Sequence, residues 1–320
     1  LRYGRRVRNS RSMGQEYRRR KEMASVDKKG RSLQYINMSK VSIPAIVLAA
    51  VFLSSCSIAT LGTRATESFL SEEDPELVGQ SLPLLLKASE ILADSKPKDV
   101  DRAVTASSLA VMYAMGFVSA DAAGIPSEEV DARMEANLRA KRLLQRAFRR
   151  SSAALEQRRK GSLAALSSGV TTPLEKLKAR DVPLLYWTSA SALGAFSLDP
   201  FDPSASKHLA TAVALMERAL ELDPDWNFGA LQELVISLAP SLPRELGGGE
   251  ERAEAAYRRA LEASRGLRAS PHVSFASSVC VGRQDYKAFK QALEAALAVD
   301  IDADPSGRLE IGRASCRERV

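Results

Sequence analysis

The sequence is poor in the residues that form disulfides and bind metals, with three cysteines and two histidines among 320 residues. Cys56 follows an apolar segment and two serines, and Cys316 lies in an atypical terminal run, so Cys280 is left without an internal disulfide partner. We therefore predict that Cys280 is a small buried apolar side chain. No second cysteine or paired histidine stands near it in the sequence, and we predict neither a metal site nor a cofactor.

The sequence also lacks the short motifs of common catalytic sites, since it contains no G-x-S-x-G, H-E-x-x-H or P-loop pattern. His208 and His272 belong to no recognisable triad or Cys–His pattern, and we interpret both as surface or hydrogen-bonded helix residues. The glycine-rich "LGGGE" (246–250) has no strand before it, so it is predicted to be a turn between helices. We expect a protein that is not an enzyme. Catalysis on a helical scaffold is the alternative, and a carboxylate or histidine with a perturbed pKa in a deep cleft would support it.

Strand patterns are nearly absent as well. In residues 74–310 β-branched residues are sparse, and apolar and polar residues rarely alternate. Alanine and leucine, the best helix formers, dominate. The sequence therefore predicts an all-α domain over 74–310. Its predicted helices are Pro75 to Ser95, Asp101 to Gly124, Ser127 to about Lys160, Pro183 to Asp199, Ser204 to Asp223, Asp225 to Pro243, Gly249 to Gly266, Ser270 to Gly282 and Asp285 to Asp300.

Three details of these helices are predicted from single residues. Pro83 is expected to kink or break the first helix. The second helix is apolar almost all round, which indicates a central position in the protein. It is long enough to span a membrane, but Ser, Thr and Asp residues interrupt it and make a span doubtful. Ser127 is expected to cap the third helix, with Val130, Met134 and Leu138 on one apolar stripe.

One apolar segment, Val41 to Leu53, is too short to span a bilayer, which needs about 20 apolar residues. It has the length of the apolar part of a signal peptide, about 7–15 residues. Met38 and Lys40 stand before it, and Ser-Ser-Cys56 after it resembles the lipobox of bacterial lipoproteins. The resemblance implies a signal peptide over 38–55 and lipid attachment at Cys56. Residues 56–73 are mixed and polar and are predicted to be a tether between the lipid and the fold. A buried core segment with an incidental cysteine is the alternative.

Basic residues are concentrated outside the predicted domain. We interpret residues 1–37 as upstream translation from a mis-called start, with a basic arm for nucleic acid as the alternative, and 311–320 as an adapter-derived run after a truncated C-terminus. The whole chain has a formal net charge of +7, but residues 56–310 carry 30 basic and 35 acidic side chains. We therefore predict no nucleic-acid partner.

A short phrase recurs in three of the helices. The pairs Ala219-Leu220, Ala260-Leu261 and Ala292-Leu293 are about 41 and 32 residues apart, which brackets the tetratricopeptide period of 34 residues. Small alanines let helices approach and leucines fill the layer between repeats. The pattern predicts a tetratricopeptide-like α-solenoid of stacked antiparallel helix pairs, although the first half of the chain lacks the phrase.

Together with the lipobox and the all-helical pattern, four stretches resemble the TRAP-transporter-associated T component, the TatT family. They are "YWTSASALGAFSLD", "MERALELDPDWNFGALQ", "LPRELGGGEERAEAAYRRALEASRG" and "DYKAFKQALEAALAVDIDADPSGRLE". The resemblance covers most of residues 38–310. It implies a non-enzymatic periplasmic lipoprotein. The sequence departs from the family pattern at its C-terminal end, where "RLE" runs into the adapter-like tail in place of an expected final helix rich in arginine and leucine.

The resemblance also implies partners. These are a TRAP-type solute-binding protein, further copies of the chain in a homotrimer, and the outer membrane through the lipid anchor, with the protein facing the periplasm. A hydrophobic ligand in a cleft or pore is a further implication. The alternative is a generic tetratricopeptide scaffold lipoprotein that assembles envelope proteins and has no small ligand.

Aromatic residues with a polar tip suit pockets and interfaces. Tyr186, Trp187, Trp226, Asn227 and Phe228 are therefore the candidate ligand-binding or partner-binding residues. Packing between helices is the alternative for each of them, and Asn227 could also cap a helix.

Overall fold

The computed structural model describes residues 68–300 and 302–309, and all regular structure in these ranges is helical. The prediction of an all-α protein is therefore confirmed. The main helices are α1 Pro75–Ser95, α2 Val100–Ala123, α3 Val130–Arg158, α4 Val182–Leu198, α5 Leu209–Leu222, α6 Trp226–Leu238, α7 Glu250–Ala263, α8 Ser270–Phe275 with its continuation through Val281–Arg283, and α9 Tyr286–Leu297. Short helices at Ser162–Ser167 and Pro203–Ser206 and several 3₁₀ turns connect them.

Helix α1 has the predicted bounds because its first turn is well capped. The Asp74 carboxylate accepts hydrogen bonds from the backbone N–H groups of Glu76 and Leu77, and Pro75 occupies the first turn, where its missing N–H costs nothing. Pro83 lies inside the helix, which continues past it to its predicted end. The predicted break at Pro83 is therefore absent.

The predicted cap of α3 was wrong. The helix begins at Val130 after Glu129, and no side chain caps it. The N–H of Glu129 donates to the carbonyl of Pro126, which closes a turn over the residues around Ser127 and delays the helix.

Two of the helices contain π-helical turns, at Ala114–Ser119 in α2 and at Ala276–Cys280 in α8. Among the described residues, α2 alone is long and apolar enough to cross a membrane by length and composition. In its most apolar window 67% of the residues are buried inside the protein, as in the core helix of a folded domain. This agrees with the predicted central position of α2.

The helices pack mainly against their neighbours in the chain. α1 contacts α2, α2 contacts α3, α3 contacts α4 and α4 contacts α5, while α6 pairs with α7 and α8 with α9. Small side chains allow close approach, and the hydroxyl of Ser189 on α4 donates to the carbonyl of Ala212 on α5 over 2.7 Å. Two apolar clusters result, one around α1, α2 and α3 and one around α4 to α7, and Tyr186 packs against both.

The recurring alanines lie at helix contacts. Ala219 and Ala260 are fully buried in α5 and α7, and Ala292 in α9 is 6% exposed. A larger side chain at any of these positions would push the packed helices apart.

Candidate functional site

A cleft of about 680 Å³ opens between the first turns of α1, the π-helical turn of α2 and the first half of α3. Its apolar wall contains Tyr113, Phe117, Val118 and Ile125. The ring centres of Tyr113 and Phe117 are 6.4 Å apart, and the two ring planes are tilted by 32° to each other. Both rings are at least nine-tenths buried, so they form a fixed floor under the opening.

Gly79 of α1 sets how closely this helix approaches the floor. A Cβ atom built on Gly79 would lie 3.0 Å from Cδ1 of Phe117, which is tighter than nine in ten real Cβ contacts. The glycine therefore lets the backbone of α1 lie directly against the Phe117 ring. This contact forms one wall of the cleft.

The π-helical turn Ala114–Ser119 carries Phe117 and Val118 into the cleft. One extra residue in a helical turn shifts the direction of the side chains that follow, and such turns recur at functional sites. The backbone irregularity in α2 therefore coincides with the part of the helix that lines the cleft.

The polar rim of the cleft carries both signs of charge. Arg139 donates to the hydroxyl of Tyr113 over 2.8 Å, and its guanidinium carbon lies 5.5 Å from the centre of the Tyr113 ring. Asp74, Glu76 and Asp121 are the acidic residues of the lining. The cleft thus combines an aromatic floor with a charged entrance, an arrangement suited to a ligand with an apolar body.

Three of the five predicted binding residues form an aromatic cluster elsewhere. The ring centre of Tyr186 lies 4.7 Å from that of Trp187 in an edge-on arrangement and 4.8 Å from that of Trp226. All three are half-buried and pack against the apolar clusters. The arrangement agrees with the packing alternative, and a binding role for these residues stays a prediction.

The other two candidates, Asn227 and Phe228, lie on a left-handed stretch at the start of α6. The cap residue of this helix is Asp225, so capping by Asn227 was wrong; its left-handed backbone takes it out of the cap position. The Phe228 ring is 44% exposed and lies 4.1 Å from the guanidinium carbon of Arg268. Arg268 is buried and bonds to Asp304, which ties the C-terminal part of the described chain to α6.

The remaining predicted residues are distributed as follows. Cys56 lies outside the described residues. Cys280 is a free, buried thiol whose pKa is raised by burial, as expected for a small apolar core residue.

His272 shares a hydrogen bond of 2.6 Å with the hydroxyl of Tyr257, and the ring centre of His208 lies 4.5 Å from that of Phe148. His272 is thus a hydrogen-bonded helix residue, as predicted, whereas His208 is a half-buried residue directly before α5. No cluster of three or more His, Cys, Asp or Glu that could hold a metal occurs within the described ranges.

Sequence reasoning missed the cleft because its lining comes from three separate helices. Tyr113 and Phe117 stand in a stretch that is apolar all round, where periodicity marks no special face. Arg139 stands among the many basic residues of α3 and has no distinguishing neighbour. The one available signal was the mixture of aromatic residues with Gly116 inside an otherwise regular apolar helix.

Two comparisons with known proteins bear on these features. The family model described as "TRAP transporter T-component" (TAtT) matches residues 71–317. A protein of Treponema pallidum (strain Nichols), named only as an uncharacterized protein, is 32% identical over 248 residues. That similarity covers 76% of this chain and 77% of the Treponema protein.

Proposed function

The chain belongs to the TRAP transporter T-component family, and we propose that it is a non-enzymatic periplasmic lipoprotein that binds a partner TRAP-type solute-binding protein. The observation that carries the proposal is the family match, which spans nearly all of the described structure. Membership indicates an envelope-associated accessory component of a TRAP transporter. Direct contact with the solute-binding protein is the finer step that we add.

The proposed anchor is Cys56, because it follows an apolar segment and two small residues in the order of a lipobox. Ser57 follows the cysteine, and no aspartate signals retention in the inner membrane, so we place the protein at the outer membrane, facing the periplasm. We further propose a homotrimer, on the family resemblance.

The helix pairs α4–α5, α6–α7 and α8–α9 support the proposal of a tetratricopeptide-like solenoid. Each pair leaves an apolar face that the next pair can cover. The buried alanines of α5, α7 and α9 are the small residues that such stacking needs. Solenoids present extended surfaces, which suits a protein whose task is to hold a partner.

We assign a hydrophobic ligand to the cleft between α1, α2 and α3. Its volume of about 680 Å³ falls within the range of small-molecule sites, roughly 300–1,000 Å³. The aromatic floor supplies apolar contact, and Arg139 with the acidic residues at the rim can orient a polar end of the ligand.

The partner is tested by immobilising the full chain and probing a periplasmic extract of the organism that encodes it. We expect recovery of a TRAP-type solute-binding protein in stoichiometric amount. Recovery of other envelope proteins with none of that class would contradict the proposal and favour the generic scaffold.

The ligand assignment is tested by filling the cleft. Ile125→Trp adds volume at the lining, while Ile91→Trp makes the same change at a position of α1 that is 60% exposed and outside the cleft. Binding of the uncharged fluorescent probe N-phenyl-1-naphthylamine is measured for both variants. We expect at least about a fivefold loss for Ile125→Trp, since overfilling a packed site costs about 1–3 kcal/mol, and no change for the control. Equal binding by the two variants would contradict the assignment.

A further inference from the structure

A second pocket, of about 230 Å³, lies away from the cleft, where α3, α4 and the residues around Pro203–Ser206 meet. Its apolar floor comes from Phe148, Ala192 and Ala195, all of which are buried. The small side chains of α4 leave room above the floor for a group of a few atoms.

The charged side chains that line this pocket are all basic. They are Arg149 of α3 and Lys207, which precedes α5, with His208 next to it. Neither Arg149 nor Lys207 forms an ion pair in the part of the chain that the structure describes. Two unpaired cations at one small opening attract an anion.

The pocket residue Ser204 bonds to the carboxylate of Asp202, which is held by another cation. Lys141 is 9% exposed and its ammonium lies 2.7 Å from Asp199 Oδ2 and 2.5 Å from Asp202 Oδ2. Hydrogen bonds from Lys141 and Ser204 lower the pKa of Asp202 to about 2, so this carboxylate stays ionised and bound to Lys141. The cluster keeps one excess negative charge, but Asp199 is 38% exposed, where water screens it.

Two neutral polar groups complete the pocket. Ser204 donates to Asp202 over 2.6 Å and accepts a hydrogen bond from the Gln145 side chain over 3.1 Å. Gln145 is therefore fixed in position, and its amide has a second N–H that can donate to a ligand.

His208 lies against the floor, with its ring centre 4.5 Å from that of Phe148. Burial, and then the charge of Lys207, lower the pKa of His208. The imidazole is thus mainly neutral near pH 7, and a bound anion would favour its protonation.

We propose that this pocket binds the phosphate group of a small anion, with Arg149 and Lys207 as its charged ligands and His208 as a third donor once protonated. Arginine and lysine together match phosphate oxygens in charge and hydrogen-bond geometry. A phosphate dianion can balance both fixed cations, which a single carboxylate cannot do. The source of the phosphate is either a soluble phosphate compound or a phospholipid headgroup, and the proposal is independent of the partner and of the cleft.

The experiment follows the two histidines of the full chain by NMR during a pH titration, with inorganic phosphate or with sodium chloride at the same ionic strength. We expect phosphate to raise the pKa of His208 by about one unit, because an opposite charge nearby has effects of this size. His272, hydrogen-bonded to Tyr257, is the internal reference and should not move.

Variants separate a built site from an adventitious one. Arg149→Gln and Lys207→Gln should each weaken phosphate binding at least about tenfold, as expected for the loss of a charge-assisted hydrogen bond. Arg142→Gln, which removes an exposed cation from the same helix outside the pocket, should leave it unchanged. Thermal melts check that all three variants fold.

A second arm replaces inorganic phosphate with vesicles of phosphatidylcholine containing phosphatidic acid. A His208 shift with free phosphate identifies a soluble ligand, and a shift with vesicles alone identifies a lipid headgroup. The proposal is overturned if neither probe moves His208, or if the shift persists unchanged in Arg149→Gln and Lys207→Gln.

Discussion

At Asn227, Phe228 and Gly229 the backbone is left-handed for three consecutive residues, with φ angles of 49°, 58° and 90°. Side chains other than glycine seldom adopt this conformation, and each such residue carries strain. The stretch also brings Gly229 against α7, where a Cβ atom would lie 3.1 Å from the Cα of Ala260. Glycine is therefore required here both by the backbone angle and by the close approach of the helices.

Gly229→Ala is expected to destabilise the protein by about 1–3 kcal/mol, because it adds strain at a positive φ and a contact with the backbone of α7. Gly282→Ala is the matched control. It lies in an ordinary helical turn with open space around it, so alanine should be neutral or stabilise by up to about 1 kcal/mol. Urea unfolding measures both variants, and equal effects would refute this account of Gly229.

Some properties of single residues could be predicted from the sequence, and others could not. The burial of Cys280 and the hydrogen bond of His272 could be expected, because each follows from the ordinary behaviour of its residue type. The left-handed turn at Asn227 could not be expected, because it is set by the packing of α6 on α7. Neighbouring residues in the sequence carry no sign of that contact.

Helix α3 connects α2 with α4 and with the residues that follow α4. Its long amphipathic sequence packs on α2 and α4, and buried Lys141 joins it to Asp199 and Asp202 after the end of α4. Burial alone lowers the pKa of Lys141, but hydrogen bonds to both carboxylates outweigh it and raise the pKa. The cation therefore stays charged in the packed region and fixes the connection that leads to α5.

Lys141→Met is expected to destabilise the protein by about 2–4 kcal/mol, because it leaves two carboxylates close together without their cation. Lys87→Met is the control. The Lys87 side chain is 68% exposed, and its partner Glu90 is buried but keeps an ion pair with Arg146, so the loss of Lys87 should cost only about 0–1 kcal/mol. Chemical denaturation at pH 7 compares the two variants.

The same pair of carboxylates predicts a pH dependence. The folded pKa of Asp202 is about 2, below its ordinary value of 3.8, so its stabilising effect is present above pH 3.8 and is lost as the pH falls towards 2. This part of the acid transition should be weaker in Lys141→Met than in Lys87→Met. Identical acid profiles would show that Lys141 does not hold Asp202 in its ionised form.

The start of a helix could be predicted where capping residues mark it, as in α1. It was missed in α3, where a turn precedes the helix. Asp74 and Pro75 mark the start of α1 in the sequence, and the structure begins the helix there. The stripe of Val130, Met134 and Leu138 follows helical spacing, yet all three side chains are at least 40% exposed. Periodicity defines a face of a helix, but it does not say whether another element covers that face.

For the molecule as a whole, the family could be identified from sequence blocks and the all-α fold from composition. The cleft could not, because Gly79, Phe117 and Arg139 become neighbours only when three helices pack. Its formation depends on the π-helical turn in α2, for which no sequence pattern was available. The pocket with Arg149 and Lys207 was hidden for the same reason, since its cations come from different helical regions.

The net charge of the whole chain is a misleading guide to its partner. Most of the positive excess lies in residues 1–55, while residues 56–310 have more acidic than basic side chains. The family assignment instead points to a protein partner in the cell envelope. We propose that this partner is a TRAP-type solute-binding protein.

The most direct test is a calorimetric titration of the purified full chain with the TRAP-type solute-binding protein encoded in the same genome. We predict saturable, stoichiometric binding that persists at physiological salt. A titration without saturable binding at concentrations of about 100 μM, equivalent to a binding free energy weaker than about −5.5 kcal/mol, would contradict the account and leave the chain without its proposed partner.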